Sequence, residues 1–346
     1  MNRMKQLLNT LFVTSADTYL ALENGNVVIM QEGEVLRRFP LHLFEQIVYF
    51  GYKGASPALM GECAKQGIGL SFFNQYGKFL ARVTGNNYGN VLLRKRQYRV
   101  SDDINASCFL ARNFIVGKIY NSRGILERFY RDHGLSLNAD KLKADSKQML
   151  TLARRARVCT DLDKLRGLEG EAASIYFSNF NDLILQNKKY FIFGGRIKRP
   201  PTDAVNAMLS FAYTMLANDC ASALESIGLD PYIGFLHRDR PGRISLALDL
   251  MEELRSVFAD RFILKLINNR IVNKNDFEIQ ENGSILLNEN ARKKFLSNWQ
   301  DRKREIITHP FLEDKISWGL VPFIQAQLLA RFLRGDLEEY PSFMWK

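Results

Sequence analysis

Up to about residue 98 the apolar positions follow a period of two; beyond it they follow a period of three to four. Over residues 18–23 apolar and polar positions alternate and run into Asn24-Gly25, the dipeptide suited to the positive φ angles of a two-residue hairpin turn. Val27-Val28-Ile29-Met30 follows, then a Glu32-Gly33 turn and a third strand candidate over 35–39. Segments 47–52, 68–73 and 79–83 continue the pattern, with a short helix expected over 57–65. Short strands at near-regular spacing predict a sandwich or a small barrel. Ser101-Asp102-Asp103 then reads as a helix start, a cap followed by early acidic residues. Phe109, Phe114, Ile115, Ile119, Leu126 and Phe129 mark the stripe of that helix. Helical spacing recurs over 141–159, 166–187, 203–227, 244–268, 288–306 and 316–334, with no internal repeat and no low-complexity segment. The expectation is an α+β multidomain chain. A small β-sandwich-like domain spans 1–98, and a larger, mainly α-helical domain spans 99–346.

Length and composition sharpen this. A single core stops growing near about 250–300 residues, so 346 residues favour two units. A hydrophobic content of 46% excludes a disordered chain. A membrane span needs about 20 predominantly apolar residues. The closest approach, over 321–333, is interrupted by Gln325, Gln327 and Arg331. Arg3 and Lys5 before Leu7-Leu8 resemble a signal start, but Asn9, Thr10 and Asp17 break the run and no small-residue cleavage site follows. A cytoplasmic protein without membrane contact is expected. Cysteines at 63, 108, 159 and 220 form no Cys-x-x-Cys pair, so they read as buried, reduced thiols.

Charge adds a partner. Against 37 Asp+Glu stand 48 Lys+Arg, a net +11, and the excess is clustered. Arg94-Lys95-Arg96 and Arg99 flank Tyr98; Lys188, Lys189, Arg196, Lys198 and Arg199 occupy 188–199 without an acid. Arg238, Arg240 and Arg243 follow His237, and Arg292-Lys293-Lys294 and Arg302-Lys303-Arg304 share one helical segment. Clustered cations with aromatics nearby are the footprint of a phosphate-backbone binder. Solvated helix faces are the competing reading, and composition does not choose between DNA and RNA. Arg238, Arg240, Arg243, Lys198 and Arg199 are the candidates for contacting DNA.

The chemistry-bearing segment runs Gly234-Phe235-Leu236-His237-Arg238-Asp239-Arg240-Pro241-Gly242-Arg243, with a helix expected from Ser245. Asp249 and Glu252 stand at i and i+3 and share a helix face, with Glu253 bordering it. Asp249, between Leu248 and Leu250, is expected to be at least half buried and therefore paired, hydrogen-bonded or metal-bound. Upstream, Arg166-Gly167-Leu168-Glu169-Gly170-Glu171-Ala172-Ala173 opens a helix whose small residues allow a close approach. Glu169 and Glu171 point about 200° apart, and Glu169 is the one expected to face His237. Two carboxylates and one imidazole suit Mg²⁺ or Mn²⁺ better than zinc. In a basic protein the natural chemistry is attack on a phosphodiester. The same residues admit a structural reading, and His42, His133 and His309, without comparable carboxylate neighbours, are read as structural.

Six stretches together resemble one family. They are 7–14 (LLNTLFVT), 50–57 (FGYKGASP), 166–173 (RGLEGEAA), 199–206 (RPPTDAVN), 234–237 (GFLH) and 245–252 (SLALDLME). The chain is similar along nearly its whole length to the CRISPR-associated spacer-acquisition integrase, the universal endonuclease of the adaptation module, and to its subtype I-C branch in particular. The resemblance implies catalytic residues Glu169, His237, Asp249 and Glu252. Of these, Glu169, His237 and Glu252 would hold one Mg²⁺ or Mn²⁺, and Asp249 would orient a ligand or bound water. It implies homodimers formed through the β domain. Two such dimers would flank a dimer of a small ferredoxin-like second adaptation protein, giving a heterohexamer. The complex would insert double-stranded spacer DNA into the repeat array by 3′-hydroxyl transesterification, in antiviral immunity. A non-catalytic nucleic-acid scaffold and a general nuclease are the alternatives.

Overall fold

The computed structural model describes residues 9–85, 91–133, 139–197 and 200–345. Lys198 and Arg199, and the signal-like Arg3, Lys5, Leu7 and Leu8, lie outside them. The chain divides into two compact units, the first made of the described part of Met1–Tyr88 together with Leu287–Glu305.

The first unit opens with β1 (Thr10–Val13), β2 (Tyr19–Glu23), β3 (Asn26–Gln31), β4 (Glu34–Pro40) and β5 (Gln46–Phe50), followed by helix α1 (Pro57–Gln66) and strands β6 (Gly69–Phe73) and β7 (Phe79–Val83). Strands β2-β3-β4 form an antiparallel meander. Its two-residue turns are the expected ones, with φ of 47° and 74° at Asn24 and Gly25 and 51° and 89° at Glu32 and Gly33. The second sheet is ordered β1-β5-β6-β7. Its β1–β5 and β5–β6 pairs are parallel and β6–β7 is antiparallel. A parallel β5–β6 pair needs a crossover, which α1 supplies. Ser56 caps α1 by accepting the Leu59 amide, and Pro57 sits at its first position. Both sheets and α1 share one core, including Leu20, Val27, Ile47, Leu59 and Leu70, each fully buried. Each such side chain contributes about 1.5–3 kcal/mol relative to exposure.

The second unit is mainly helical: α2 (Val91–Asp102), α3 (Ile104–His133), α4 (Ala139–Arg157), α5 (Leu162–Ser178), α6 (Ala204–Ile227), α7 (Ser245–Glu252) and α8 (Arg261–Asn268). Two short ribbons, β8 (Phe277–Ile279) with β9 (Ile285–Leu287) and β10 (Ile306–Thr308) with β11 (Lys315–Ser317), interrupt the helices. Helix α9 (Glu289–Arg304) lies between the ribbons in sequence and belongs to the first unit; α10 (Val321–Arg334) belongs to the second. Helix α6 is buried nearly all round, from Ala204 to Leu224, as a central helix must be. The conspicuous 199–206 stretch, where described, supports its start. Asp203 caps α6, and Asn206 donates to Gly195 O while accepting from Arg196 and the Ile197 amide. No described helix is long and apolar enough to cross a membrane.

Several expectations need correction. Residues 91–102 are helical, not the end of the β region. The buried stripe of α2 is Leu93, Gln97 and Val100, and a polar glutamine at its centre hides the period. The single helix expected over 244–268 is α7, then a π-helical turn over Arg255–Asp260, then α8. The wider turn sets the direction of buried Ser256 and Asp260 relative to α7. Arg302 and Lys303 are buried, Arg302 pairing with Glu305, so only Arg304 of the second basic run of α9 is exposed. Cys63, Cys108 and Cys220 are buried, with the Cys63 thiol pushed up to about 12 by burial, whereas Cys159 is only half-buried; all four are free.

Candidate active site

The site is built on the loop 234–237, which packs on the start of α7. Gly234 has no room for a side chain: a Cβ there would lie 2.9 Å from Asp249 Oδ2 and 2.9 Å from Ser245 Cβ. From α2, Ser101 Oγ donates to Gly234 O at 2.8 Å. Gln97 donates to Asp230 O and Ile233 O at 2.8 Å and accepts the Asp230 amide at 3.0 Å. From α5, Arg166 donates to Leu236 O through Nε (3.1 Å) and Nη2 (2.6 Å). A short loop is thereby held from three elements.

Asp249 is fully buried and saturated with donors. Its Oδ2 accepts the amides of Phe235 (2.6 Å) and Leu236 (3.0 Å), and its Oδ1 accepts the His237 amide at 3.1 Å. His237 Nδ1 lies 2.5 Å from the same Oδ1. An oxygen that already receives an amide is the acceptor here, so the ring proton sits on Nδ1 and the Nε2 lone pair faces outward. Nε2 stands 3.8 Å from Glu252 Oε1.

Glu252, the last residue of α7, is buried. Lys118 Nζ on α3 is 2.7 Å from its Oε2, and Arg255 Nη2 is 3.1 Å from its Oε1. Burial works to raise this carboxyl, but the charges of Arg255 and Lys118 outweigh it and hold it well below the usual carboxylate range. Glu169 on α5 is paired with the same Lys118. Glu171 points away and accepts from Gln148 at 3.1 Å. Glu169 and Glu252 therefore reach one ammonium from two helices, and His237 Nε2 stands beside Glu252. Gly170 carries no close approach: a Cβ there meets nothing within 4 Å. Glu253 leaves this face altogether. Its Oε2 accepts Phe343 N (2.6 Å) and Gln325 Nε2 (2.9 Å), and burial raises its carboxyl to about 8.

Lys118 and Arg255 are the participants that spacing did not single out. Their signals exist in retrospect. Lys118 interrupts the apolar stripe of α3, three and four residues after Ile115 and Phe114, and Arg255 stands at i+3 from Glu252. Arg238, Arg240 and Arg243 lie on the loop after His237, which a turn closes through Arg243 N donating to Arg240 O at 3.0 Å. Arg238 is exposed and pairs with Asp163 at 3.1 Å. Of the other clusters, Arg94 donates to Gly228 O, and Arg196 is spent on Asn206 and Ser210. His309 is buried, with Gln325 at 3.2 Å from Nε2 and two amides on Nδ1.

Glu169, Glu252 and His237 are the side chains at this site whose donor atoms a divalent ion would use. Their oxygen-rich donor set suits Mg²⁺ or Mn²⁺, and the ammonium shared by both carboxylates shows that they aim at one cationic centre. Among the described residues no three His, Cys, Asp or Glu side chains stand together as a ready metal cage; the Lys118 ammonium lies between the two glutamates.

A strand-rich N-terminal region followed by a helical C-terminal region is the α+β two-domain fold of the CRISPR adaptation nucleases. Residues 11–301 match the profile of the family CRISPR associated protein Cas1, and the chain belongs to that family. It is 49% identical over 347 residues to CRISPR-associated endonuclease Cas1 2 of Rhodospirillum rubrum, covering 99% of this chain and 100% of that protein. It is 46% identical over 343 residues to CRISPR-associated endonuclease Cas1 1 of Chlorobaculum tepidum, with the same coverage. Its fold is shared with a casposase bound to integration product: TM-score 0.82, 22% identity, covering 98% of this chain and 94% of the casposase.

Proposed function

We propose that this chain is a metal-dependent DNA endonuclease and integrase that inserts short DNA duplexes into a CRISPR repeat array by 3′-hydroxyl transesterification, in antiviral defence. The observation that carries the reading is the convergence of Glu169 and Glu252 on one cation, with His237 Nε2 beside Glu252. Family membership and the names of its endonuclease relatives support the reaction class.

Glu169, His237 and Glu252 would hold Mg²⁺ or Mn²⁺, which when bound lowers the pKa of an attacking hydroxyl or water and offsets charge on the phosphoryl oxygens. Asp249 keeps the proton of His237 on Nδ1, so the imidazole meets the site with a lone pair. Arg255 keeps Glu252 ionised in a buried place. Arg238, Arg240 and Arg243, with Lys198 and Arg199, would hold the duplex through its phosphates, which positions DNA without reading its bases. The assembly belonging to this reading is a homodimer formed through the N-terminal domain (1–98), in a heterohexamer with the small ferredoxin-like partner. The protein would act in the cytoplasm, in a system of the subtype I-C kind.

A labelled short duplex and a supercoiled repeat-bearing plasmid, incubated with the protein and Mn²⁺, test this. Joined product is expected, and Glu169→Ala, His237→Ala and Glu252→Ala each abolish it while DNA binding persists. Cleavage without joining would instead indicate a general nuclease, and no product under any metal a scaffold. Equal activity from the triple variant would refute the site.

A further inference from the structure

We propose that Lys118 is the resident counter-ion of the Glu169–Glu252 pair, that a divalent cation must displace it, and that it thereby sets the metal affinity of the site. The inference rests on the metal-dependent reading above. Helix α3 brings Lys118 in along its buried stripe, leaving the side chain only 11% exposed. Its ammonium is paired with Glu169 and lies 2.7 Å from Glu252 Oε2. Both carboxylates a divalent ion would need are therefore already engaged by one monovalent cation. Two like charges cannot share a low-dielectric site with a metal at no cost, so binding the ion requires the ammonium to leave.

Two further observations make that exchange workable. A cavity of about 20 Å³, lined by Lys118, Tyr176, Tyr213, Arg255, Ser256 and Asp260 among others, adjoins the lysine. It has room for one group of water or ammonium size, and Asp260 offers a second carboxyl. The flexible four-carbon stem of lysine permits such a swing. Arg255 cannot substitute in this role. It is paired with Glu252 at 3.1 Å and stacked over Tyr213 at 5.1 Å, which keeps it in place when the lysine moves.

The test is Mn²⁺ binding to the full chain without DNA, by calorimetry and electron paramagnetic resonance. Lys118→Met and Lys118→Gln should bind Mn²⁺ at least about tenfold more tightly than wild type, while Lys118→Arg stays close to it. A lysine that merely supports the fold would act in the opposite direction, since its loss would loosen the site and weaken binding. In the wild-type protein, saturating Mn²⁺ should change the rate of acylation of Lys118 by an amine-reactive reagent several-fold, because the ammonium exchanges one set of carboxylate partners for another, a measurement that needs no variant. Should wild type bind Mn²⁺ while the neutral variants bind no tighter and labelling is unchanged, the displacement is overturned and the metal reading stands. Should neither wild type nor the neutral variants bind Mn²⁺, both fall.

Discussion

His237 Nδ1 lies 2.5 Å from Asp249 Oδ1, and that same carboxylate also accepts the amides of Phe235, Leu236 and His237. One buried side chain thus folds the loop and decides which ring nitrogen faces Glu252. Replacing Asp249 with Asn puts an NH₂ where an acceptor is needed, so at least one donor loses its partner. The expected cost is about 1–3 kcal/mol of stability, together with a fall in joined product of about 10–100-fold. Thermal melts and the strand-transfer assay check both; wild-type values in each would sever the link between loop and imidazole.

Gly234→Ala tests the packing beneath that link. The added Cβ meets Asp249 Oδ2 and two Ser245 atoms at 2.9 Å, and neither neighbour is the free end of a flexible chain. Overpacking of this kind costs about 1–3 kcal/mol. The shift is aimed at the Asp249–His237 pair, so activity should fall further than Tm alone would suggest, with DNA affinity retained. Full activity would mean that the loop tolerates the displacement.

Asp260 gives a pH signature away from the reacting groups. Burial raises its carboxyl to about 6, against the opposing hydrogen bond of Tyr213 and the charges of Arg255 and Arg196. Between the unfolded value of 3.8 and about 6 the folded protein holds more protons than the unfolded chain. Its contribution to stability is therefore full below that window and is lost as pH rises through it, by about 1.4 kcal/mol per unit. Asp260→Asn should flatten the wild-type decline between pH 4 and 6 in urea denaturation (about these limits). Parallel curves for the two proteins would show that this carboxyl titrates normally.

Arg238, Arg240 and Arg243 follow the imidazole on a turn-closed loop. If each meets one phosphate, the triple alanine variant should lower the slope of log K against log salt by about 2–3. Melting temperature should change little, because the Arg238–Asp163 pair is solvent-exposed and contributes about 1 kcal/mol or less. An unchanged slope would remove these arginines from the DNA path.

Much of the local architecture is legible in the residue order. Alternation and the Asn24-Gly25 and Glu32-Gly33 turns specify the β2-β3-β4 meander, because a two-residue loop with positive φ leaves one register. Pro241-Gly242 followed by Ser245 marks the start of α7, and its i, i+3 spacing sets Asp249 and Glu252 on one face. These features depend on neighbours a few residues apart, and a period of two or 3.6 is enough to encode them.

Other features were settled only when the chain closed on itself. Strand β1 pairs in parallel with β5 across more than thirty residues (Thr10 with Gln46), a contact no local period announces. The polar Gln97 masked α2 because its partners, Asp230 and Ile233, stand over 130 residues away. Adjacent Glu252 and Glu253 look equivalent in the sequence, yet one faces Lys118 and Arg255 while the other receives the Phe343 amide. Lys118 acquires meaning only from the helices packed against α3. Periods, turns and the residue types able to do the chemistry are all encoded by near neighbours in the chain. Which carboxylate meets which cation was decided by tertiary packing, because desolvating a charge forces it to find a partner and that partner's position depends on every helix between them.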